Sequence, residues 1–165
     1  MRVLGIDTSL RSTGLGAVAS EAGRLQLIEF GRVHNPARYG LSECLRRLAG
    51  GMREILARTQ PDAAAVEGIF YCRNVKTAVV LGQARGVVIA ACAEQGVPVF
   101  EYPPRRVKQA LVGFGGAEKT QVRRMVMARR GLKEEPQEDA GDALAIAICH
   151  LQNRTLHERL APQPI

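Results

Sequence analysis

The hydrophobic pattern begins with an apolar run over residues 2–6 that stops at Asp7, as expected of a buried strand whose last side chain emerges into a loop. Residues 14–19 read as a second strand. Residues 25–33 alternate, with Leu25, Leu27, Gly31 and Val33 set against Gln26 and Arg32, and read as a third. Glu21, Ala22 and Gly23 supply the turn between the second and third, so the chain is expected to open as an antiparallel meander. Residues 35–40 carry Pro36 and Gly40 and read as a loop. Leu41, Cys44, Leu45, Leu48, Met52, Ile55 and Leu56 then recur at helical period with Arg46, Arg47, Arg53 and Glu54 opposite, and this helix stops before Pro61.

From there strands and helices alternate. Residues 62–66 form a compact strand that runs into Glu67 and Gly68. Residues 74–94 predict a long helix with almost no charge in its centre, expected to be buried on more than one side. A strand over 97–102, a short helix over 105–112, a basic helix over 118–130 and a last helix over 139–153 follow, and the final dozen residues read as a frayed tail. A meander followed by alternating elements predicts an α/β fold, a mixed sheet with helices packed on it in three layers. With no repeat, low-complexity stretch or linker, one domain is expected over residues 1–153 and a flexible tail over 154–165.

Composition narrows this further. A chain of 165 residues with 46% hydrophobic and 24% charged positions is of ordinary globular make-up and long enough to hold a core without disulfides. No unbroken apolar run approaches the ~18 residues of a membrane span, and Asp7 falls where an export signal needs its apolar stretch. A soluble protein of a reducing, cytoplasmic compartment is therefore expected. The four cysteines agree: Cys44, Cys72, Cys92 and Cys149 are scattered without metal-ligand spacing, and three of them sit in apolar company.

Charge points to a partner. The net charge is +7, while residues 103–133 carry nine positive side chains against Glu118 alone, a local +8 that leaves the remainder close to neutral. Such a localised surface is the footprint of a phosphate-rich partner, nucleic acid first, although a solvated helix face has the same composition.

Against that basic background four acids stand out. Asp7 and Glu67 each end an apolar strand, the edge where open α/β sheets carry their chemistry. Asp139 and Asp142 lie three residues apart at the start of the last helix and project from one face. Ala140, Gly141, Ala143, Ala145 and Ala147 around them let that helix approach the sheet closely. If the four converge, two carboxylates ~4 Å apart repel by about 4 kcal/mol at an effective dielectric of ~20, so the cluster requires protons or cations. Oxygen-only ligands favour a hard ion, Mg²⁺ or Mn²⁺, and two such ions can drive phosphodiester hydrolysis. The competing reading keeps Asp139 as a helix cap, Asp142 in solvent, and Asp7 and Glu67 closing local turns. His150 follows Asp139 by eleven residues, about 16 Å along a helix, too far to share its ligands.

In their local contexts these acids resemble a known family. Val3-Leu4-Gly5-Ile6-Asp7 with Thr13-Gly14, Glu67-Gly68-Ile69-Phe70 with Asn74, Ala78 and Leu81-Gly82-Gln83-Ala84-Arg85-Gly86, Tyr102-Pro103 with Val107-Lys108, Gly113, Gly115 and Lys119 through Gln121-Val122, and Asp139-Ala140-Gly141-Asp142-Ala143-Leu144-Ala145 resemble, in order, the motifs of the RuvC family of Holliday junction resolvases. The resemblance spans residues 1 to 153. It implies a ribonuclease H-like fold with a mixed five-stranded sheet, a homodimer, and two-metal hydrolysis (Mg²⁺, with Mn²⁺ able to substitute) that nicks symmetric strands of a four-way DNA junction in recombination and repair. Asp7, Glu67, Asp139 and Asp142 would be the catalytic, metal-binding acids. Lys108 and Lys119 would lie by the DNA backbone and Phe70 beside the strand exchange point, with Tyr71, Arg73, Asn74, Lys76 and Arg105 as further DNA contacts. The family also implies a branch-migration motor as partner. One departure is plain: Thr8-Ser9 follows the first aspartate where the family usually has Pro-Gly.

Two features read independently of the resemblance. Phe70 and Tyr71 are adjacent aromatics in a chain with only seven, placed to stack on an unpaired base or to close a core. Ala78, Gly82, Gly86 and Ala90 form a ladder of small residues along the uncharged helix, suited to close approach either to the sheet or to a symmetry mate; the resemblance favours a dimer interface. Other functions stay open at this point: a non-catalytic junction- or DNA-binding module of the same fold, a ribonuclease H, and one lobe of an actin-like kinase, whose phosphate loop resembles Gly5-Ile6-Asp7-Thr8-Ser9.

Overall fold

The apolar N-terminal run becomes the middle of a sheet because it is buried on both faces. The structure, a computed structural model, describes residues 1–68, 74–112, 138–153 and 163–165. Strand β1 (Arg2–Asp7) pairs antiparallel with β2 (Ser12–Glu21), which pairs antiparallel with β3 (Arg24–His34). The connection between β2 and β3 is a two-residue turn with positive φ at Ala22 (46°) and Gly23 (77°), the geometry whose twist suits a tight hairpin. On the other side of β1 lie β4 (Ala63–Glu67) and β5 (Val99–Tyr102), both parallel to it, giving the order β3-β2-β1-β4-β5.

Alternation along β1 separates the two cores. Leu4 and Ile6 pack with Leu48, Met52, Ile55 and Leu56 of α1 (Leu41–Thr59) and with Ala84 and Val88 of α2 (Val75–Glu94). Val3 faces the opposite layer, with Val107 of α3 (Pro104–Val112) and Leu144, Ile146 and Ile148 of α4 (Glu138–Asn153). Each such aliphatic side chain contributes about 1.5–3 kcal/mol on burial. The α/β class, the three layers and the mixed five-stranded sheet are as the pattern predicts. The basic helix expected over 118–130 lies outside the described residues.

Helix α4 lies against the sheet at backbone contact. A Cβ on Gly5 would fall 1.9 Å from the Ala143 carbonyl oxygen, and one on Gly16 would meet the Leu144 side chain at 2.8 Å. The small residues read on the helix are thus matched by glycines on the strands. At its far end His150 is buried, its Nδ1 2.9 Å from the Tyr102 hydroxyl, so it is a core histidine tying α4 to β5. Arg106 donates from Nε to Asn153 at 2.9 Å and fixes α3 against the same helix. Cys44, Cys92 and Cys149 are buried, and burial pushes the Cys92 and Cys149 thiols up to about 12, well away from nucleophilic range.

Helix α2 departs from expectation. It is buried on one side, at Ala84, Val88, Ala91 and Cys92, while Val75 and Val79 remain 76% and 55% exposed. Lack of charge does not reveal which faces of a helix have a neighbour within the same chain. By length and composition α2 is also apolar enough to cross a bilayer, which a search for unbroken apolar runs misses because Gln83 and Arg85 interrupt it. At the end of the chain Pro164 bridges Phe100, and the Ile165 amide donates to the Val99 carbonyl at 2.9 Å, so these last residues lie along β5.

Candidate active site

Two adjacent parallel strands deliver the first pair of acids. The register of β1 on β4 runs from Val3 opposite Ala63 to Ile6 opposite Val66, so the residues that follow, Asp7 and Glu67, end neighbouring strands side by side. Helix α4 brings the second pair. Its first turn rests on Gly14, the β2 partner of Asp7; a Cβ there would stand 1.9 Å from the Asp139 carbonyl oxygen. One turn on, Asp142 lines a narrow cleft with Glu67 and Lys108, walled by Val107 and Ile146. The cleft encloses about 30 Å³, enough for a water or two or a partly hydrated cation.

Glu67 and Asp142 therefore share one cleft, and Asp7 and Asp139 adjoin it on the same sheet end. Among the described residues no three His, Cys, Asp or Glu side chains gather as ligands of a single ion. Repulsion between bare carboxylates favours rotamers that hold them apart, and the Asp139 carboxylate accepts a hydrogen bond from the Ser12 hydroxyl.

The supporting contacts are ones the sequence did not disclose. Arg85 donates from Nη1 to the Glu67 carbonyl at 2.8 Å and from Nη2 to the Glu101 carboxylate, bracing the ends of β4 and β5 behind Glu67. The Gly68 amide donates to the Tyr102 carbonyl at 2.8 Å and closes the same corner. Arg85 stands inside a motif quoted above, yet its partners come from two other elements, so spacing alone gives it no role.

The Thr8-Ser9 departure is accommodated by side-chain chemistry. The Ser9 hydroxyl accepts from the Ser12 amide and donates to the Ser12 carbonyl, both at 3.0 Å, and the Thr13 hydroxyl donates to the Ser9 carbonyl. Ser9 is not among the positive-φ residues, so it needs no glycine-like backbone. The loop is a closed turn that leads directly to Ser12 and hence to Asp139. Within it the Thr8 hydroxyl oxygen, next to Asp7, is shielded from solvent and has no hydrogen-bond partner among the described residues.

The expected DNA contacts divide. Lys108 lines the acid cleft, and Arg105 is exposed on the first turn of α3 beside a broad open depression. Asn74 caps α2, its Oδ1 accepting from the Lys76 amide at 2.9 Å and the Thr77 amide at 3.3 Å, which leaves Lys76 exposed on the first turn. Phe70, Tyr71, Arg73 and Lys119 lie outside the described residues. Of the small-residue ladder, Gly82, Gly86 and Ala90 are exposed and Ala78 is half-buried; a Cβ on either glycine would meet nothing within 4 Å. The ladder therefore does not serve packing on the sheet.

Residues 3–150 match the family model described as crossover junction endodeoxyribonuclease RuvC. The chain belongs to the RuvC family. The RuvC of Chloroflexus aggregans is 49% identical over 151 residues, covering 91% of this chain and 92% of that protein. The RuvC of Syntrophomonas wolfei is 46% identical over 157 residues, covering 94% and 91%. Among solved structures, Thermus thermophilus RuvC in complex with a Holliday junction substrate matches with a TM-score of 0.91 at 38% identity, covering 100% of this chain and 99% of that one. The ribonuclease H-like fold expected from the motifs is the fold observed, and RuvC membership makes the chain an endonuclease rather than an actin-like kinase lobe.

Proposed function

We propose that this chain resolves four-way DNA junctions as a homodimer, hydrolysing one phosphodiester in each of two symmetric strands with Asp7, Glu67, Asp139 and Asp142 as the acids that hold two divalent ions. The observation that carries the reading is the shared cleft of Glu67, Asp142 and Lys108 at the sheet end formed by Asp7 and Asp139. The donor set fits a hard cation: it is all oxygen, the cleft is of ion size, and the shielded Thr8 hydroxyl beside Asp7 suits a water of an ion's shell. When bound, such ions supply an activated water and stabilise the departing oxygen; Mg²⁺ is the proposed ion, with Mn²⁺ as substitute.

The chain's own residues do the positioning. The parallel register of β1 and β4 holds Asp7 and Glu67 on a rigid base, Arg85 fixes the end of β4, and Ser12 orients the Asp139 carboxylate. Lys108 neutralises a phosphate brought to the acids. Replacing it with Ala is expected to weaken junction binding and to lower the slope of log affinity against log salt by about 0.9, the value for one phosphate contact. An unchanged slope counts against that contact.

The exposed ladder on α2 supports the dimer, since the uncharged face with Val75 and Val79 is left uncovered within one chain. Gly86→Glu tests it. A single chain gains helix propensity of a few tenths of a kcal/mol to ~1 kcal/mol from losing glycine, whereas a two-fold interface there would bring carboxylates together. Sedimentation is expected to show a monomer that still unfolds cooperatively, at a melting temperature lowered only by the lost association; a dimer in this variant overturns the assignment. A branch-migration motor is proposed as partner from family membership alone.

The deciding experiment is end-labelled cleavage of a synthetic four-way junction beside linear duplex of the same sequence, with Mg²⁺ and with chelator. Paired nicks at symmetry-related positions, on the junction and with metal only, are expected. Tight junction binding without nicks would make this a binding module.

A further inference from the structure

Beyond the basic segment 103–133, the fold assembles a second basic surface from residues that the sequence keeps apart. Strand β3 is an outer strand of the sheet. Its Glu29 bonds Arg58 of α1 at 2.7 Å and its Val33 packs on Gly51 of α1, so β3 runs beside α1, while Arg32 and His34 alternate to the other side of the strand and stay exposed at the sheet edge. At this outer edge an open cleft of about 360 Å³ is lined by Arg32, His34, Arg46, Arg47 and Glu54. It is over ten times the volume of the acid cleft, room for a segment of phosphodiester backbone rather than an ion.

The charges in this cleft are unequally engaged. Arg46 is neutralised by Glu43 at 2.7 Å, and Glu54, 3.8 Å from Arg58, shares that guanidinium with Glu29 and offsets one positive charge. Arg47 donates to Asn35 at 3.1 Å and rests over the Tyr39 ring, contacts that orient its guanidinium and leave its charge in place. Arg32 is exposed, and among the described residues no salt bridge takes it up. The cleft thus keeps an uncompensated positive charge.

Its position relates it to the acids. His34 pairs with Ser12, whose hydroxyl bonds Asp139, and Arg32 pairs with Gly14, which pairs in turn with Asp7. Strands in a sheet stand about 4.8 Å apart, so β3 lies about 10 Å from β1. Phosphates along one DNA strand advance about 3.4 Å per nucleotide along the helix axis and lie farther apart through space, so this span is at most a few nucleotides. We infer that Arg32, with His34 and Arg47 lining the same cleft, grips the phosphate backbone of a junction arm within a few nucleotides of the scissile phosphate, on the side of the acids opposite Lys108. This deepens the junction-nuclease reading and rests on it. The contact positions the strand in the site and carries no base preference.

The test titrates the full-length chain and its Arg32→Ala, Arg32→Lys and Lys108→Ala variants against a synthetic four-way junction, with chelator to prevent cutting, between about 50 and 200 mM salt. Arg32→Ala is expected to lower the slope of log affinity against log salt by about 0.9, so that the wild type loses about 3.5-fold more affinity than the variant across that range. Arg32→Lys is expected to restore the slope, which separates lost charge from damaged fold. Methylphosphonates scanned one at a time over the few nucleotides next to the cut are expected to include a position that erases the difference between wild type and Arg32→Ala. A wild-type slope in Arg32→Ala, with a reduced slope in Lys108→Ala, overturns the β3 contact and leaves the nuclease reading standing. No junction binding by the wild-type chain overturns both.

Discussion

Glu67→Gln and Asp142→Asn are each expected to abolish junction cutting while junction binding stays measurable. Both substitutions keep side-chain shape and remove one anionic oxygen from the cleft the two acids share. Neither disturbs the frame: Arg85 holds Glu67 through its backbone carbonyl, and the helix that carries Asp142 is packed by Ala143, Leu144 and Ala147. Removing even an outer partner of a metal ligand costs about 10–100-fold, so loss of a direct ligand should lower the cutting rate by more than about a hundredfold. Binding responds differently. Affinity for DNA comes largely from phosphate contacts, and taking a negative charge out of the site leaves these intact or strengthens them. The check is a single-turnover cutting assay beside a junction titration in chelator. Near-normal cutting by both variants would remove Glu67 and Asp142 from the chemistry.

How far this site was legible in the sequence depended on whether its parts are local. Asp7 and Glu67 could be read because each closes an apolar strand, and the meander could be read because Ala22 and Gly23 punctuate an alternating pattern. The small residues around Asp139 and Asp142 signalled a helix lying close to something, and the structure supplies the other half of that contact in Gly5, Gly14 and Gly16. What could not be read is what depends on three-dimensional neighbours. Arg85 acquires its place from Glu67 and Glu101, and Ser12 acquires its own from Asp139, 127 positions away. The surface at β3 is not legible in a net-charge count, which favours contiguous residues, whereas Arg32 and Arg47 line one cleft only because α1 folds beside the outer strand. Helix α2 differs from its sequence expectation for a related reason: periodicity marks a face as apolar, and the fold decides whether one chain covers it.

Gly14→Ala is expected to be the most damaging single methyl in the molecule for catalysis. The added Cβ would lie 1.9 Å from the Asp139 carbonyl oxygen, 2.3 Å from its carbonyl carbon and 3.0 Å from its Cβ. Two of these three are backbone atoms of the first turn of α4, so no side-chain rotation relieves the clash; the helix must lift by about 1.5 Å to restore ordinary contact. Gly5 holds α4 to β1 at Ala143 and Ala147, and that contact resists the displacement. Overpacking of this kind costs about 1–3 kcal/mol, equivalent to a fall in melting temperature of about 2–12 °C for a chain of this size. The larger consequence is for Asp139, which moves with its backbone away from Asp7 and from the Ser12 hydroxyl; a misplacement of about 1 Å at a reacting centre costs about a hundredfold in rate. Gly31→Ala on β3 is the matched control, because its Cβ would meet nothing within 4 Å and its φ is not positive. That variant should cut at the wild-type rate and melt no lower. Paired melting curves and cutting rates decide the matter: a Gly14→Ala protein that cuts like wild type would show that the contact between α4 and β2 does not set the position of Asp139.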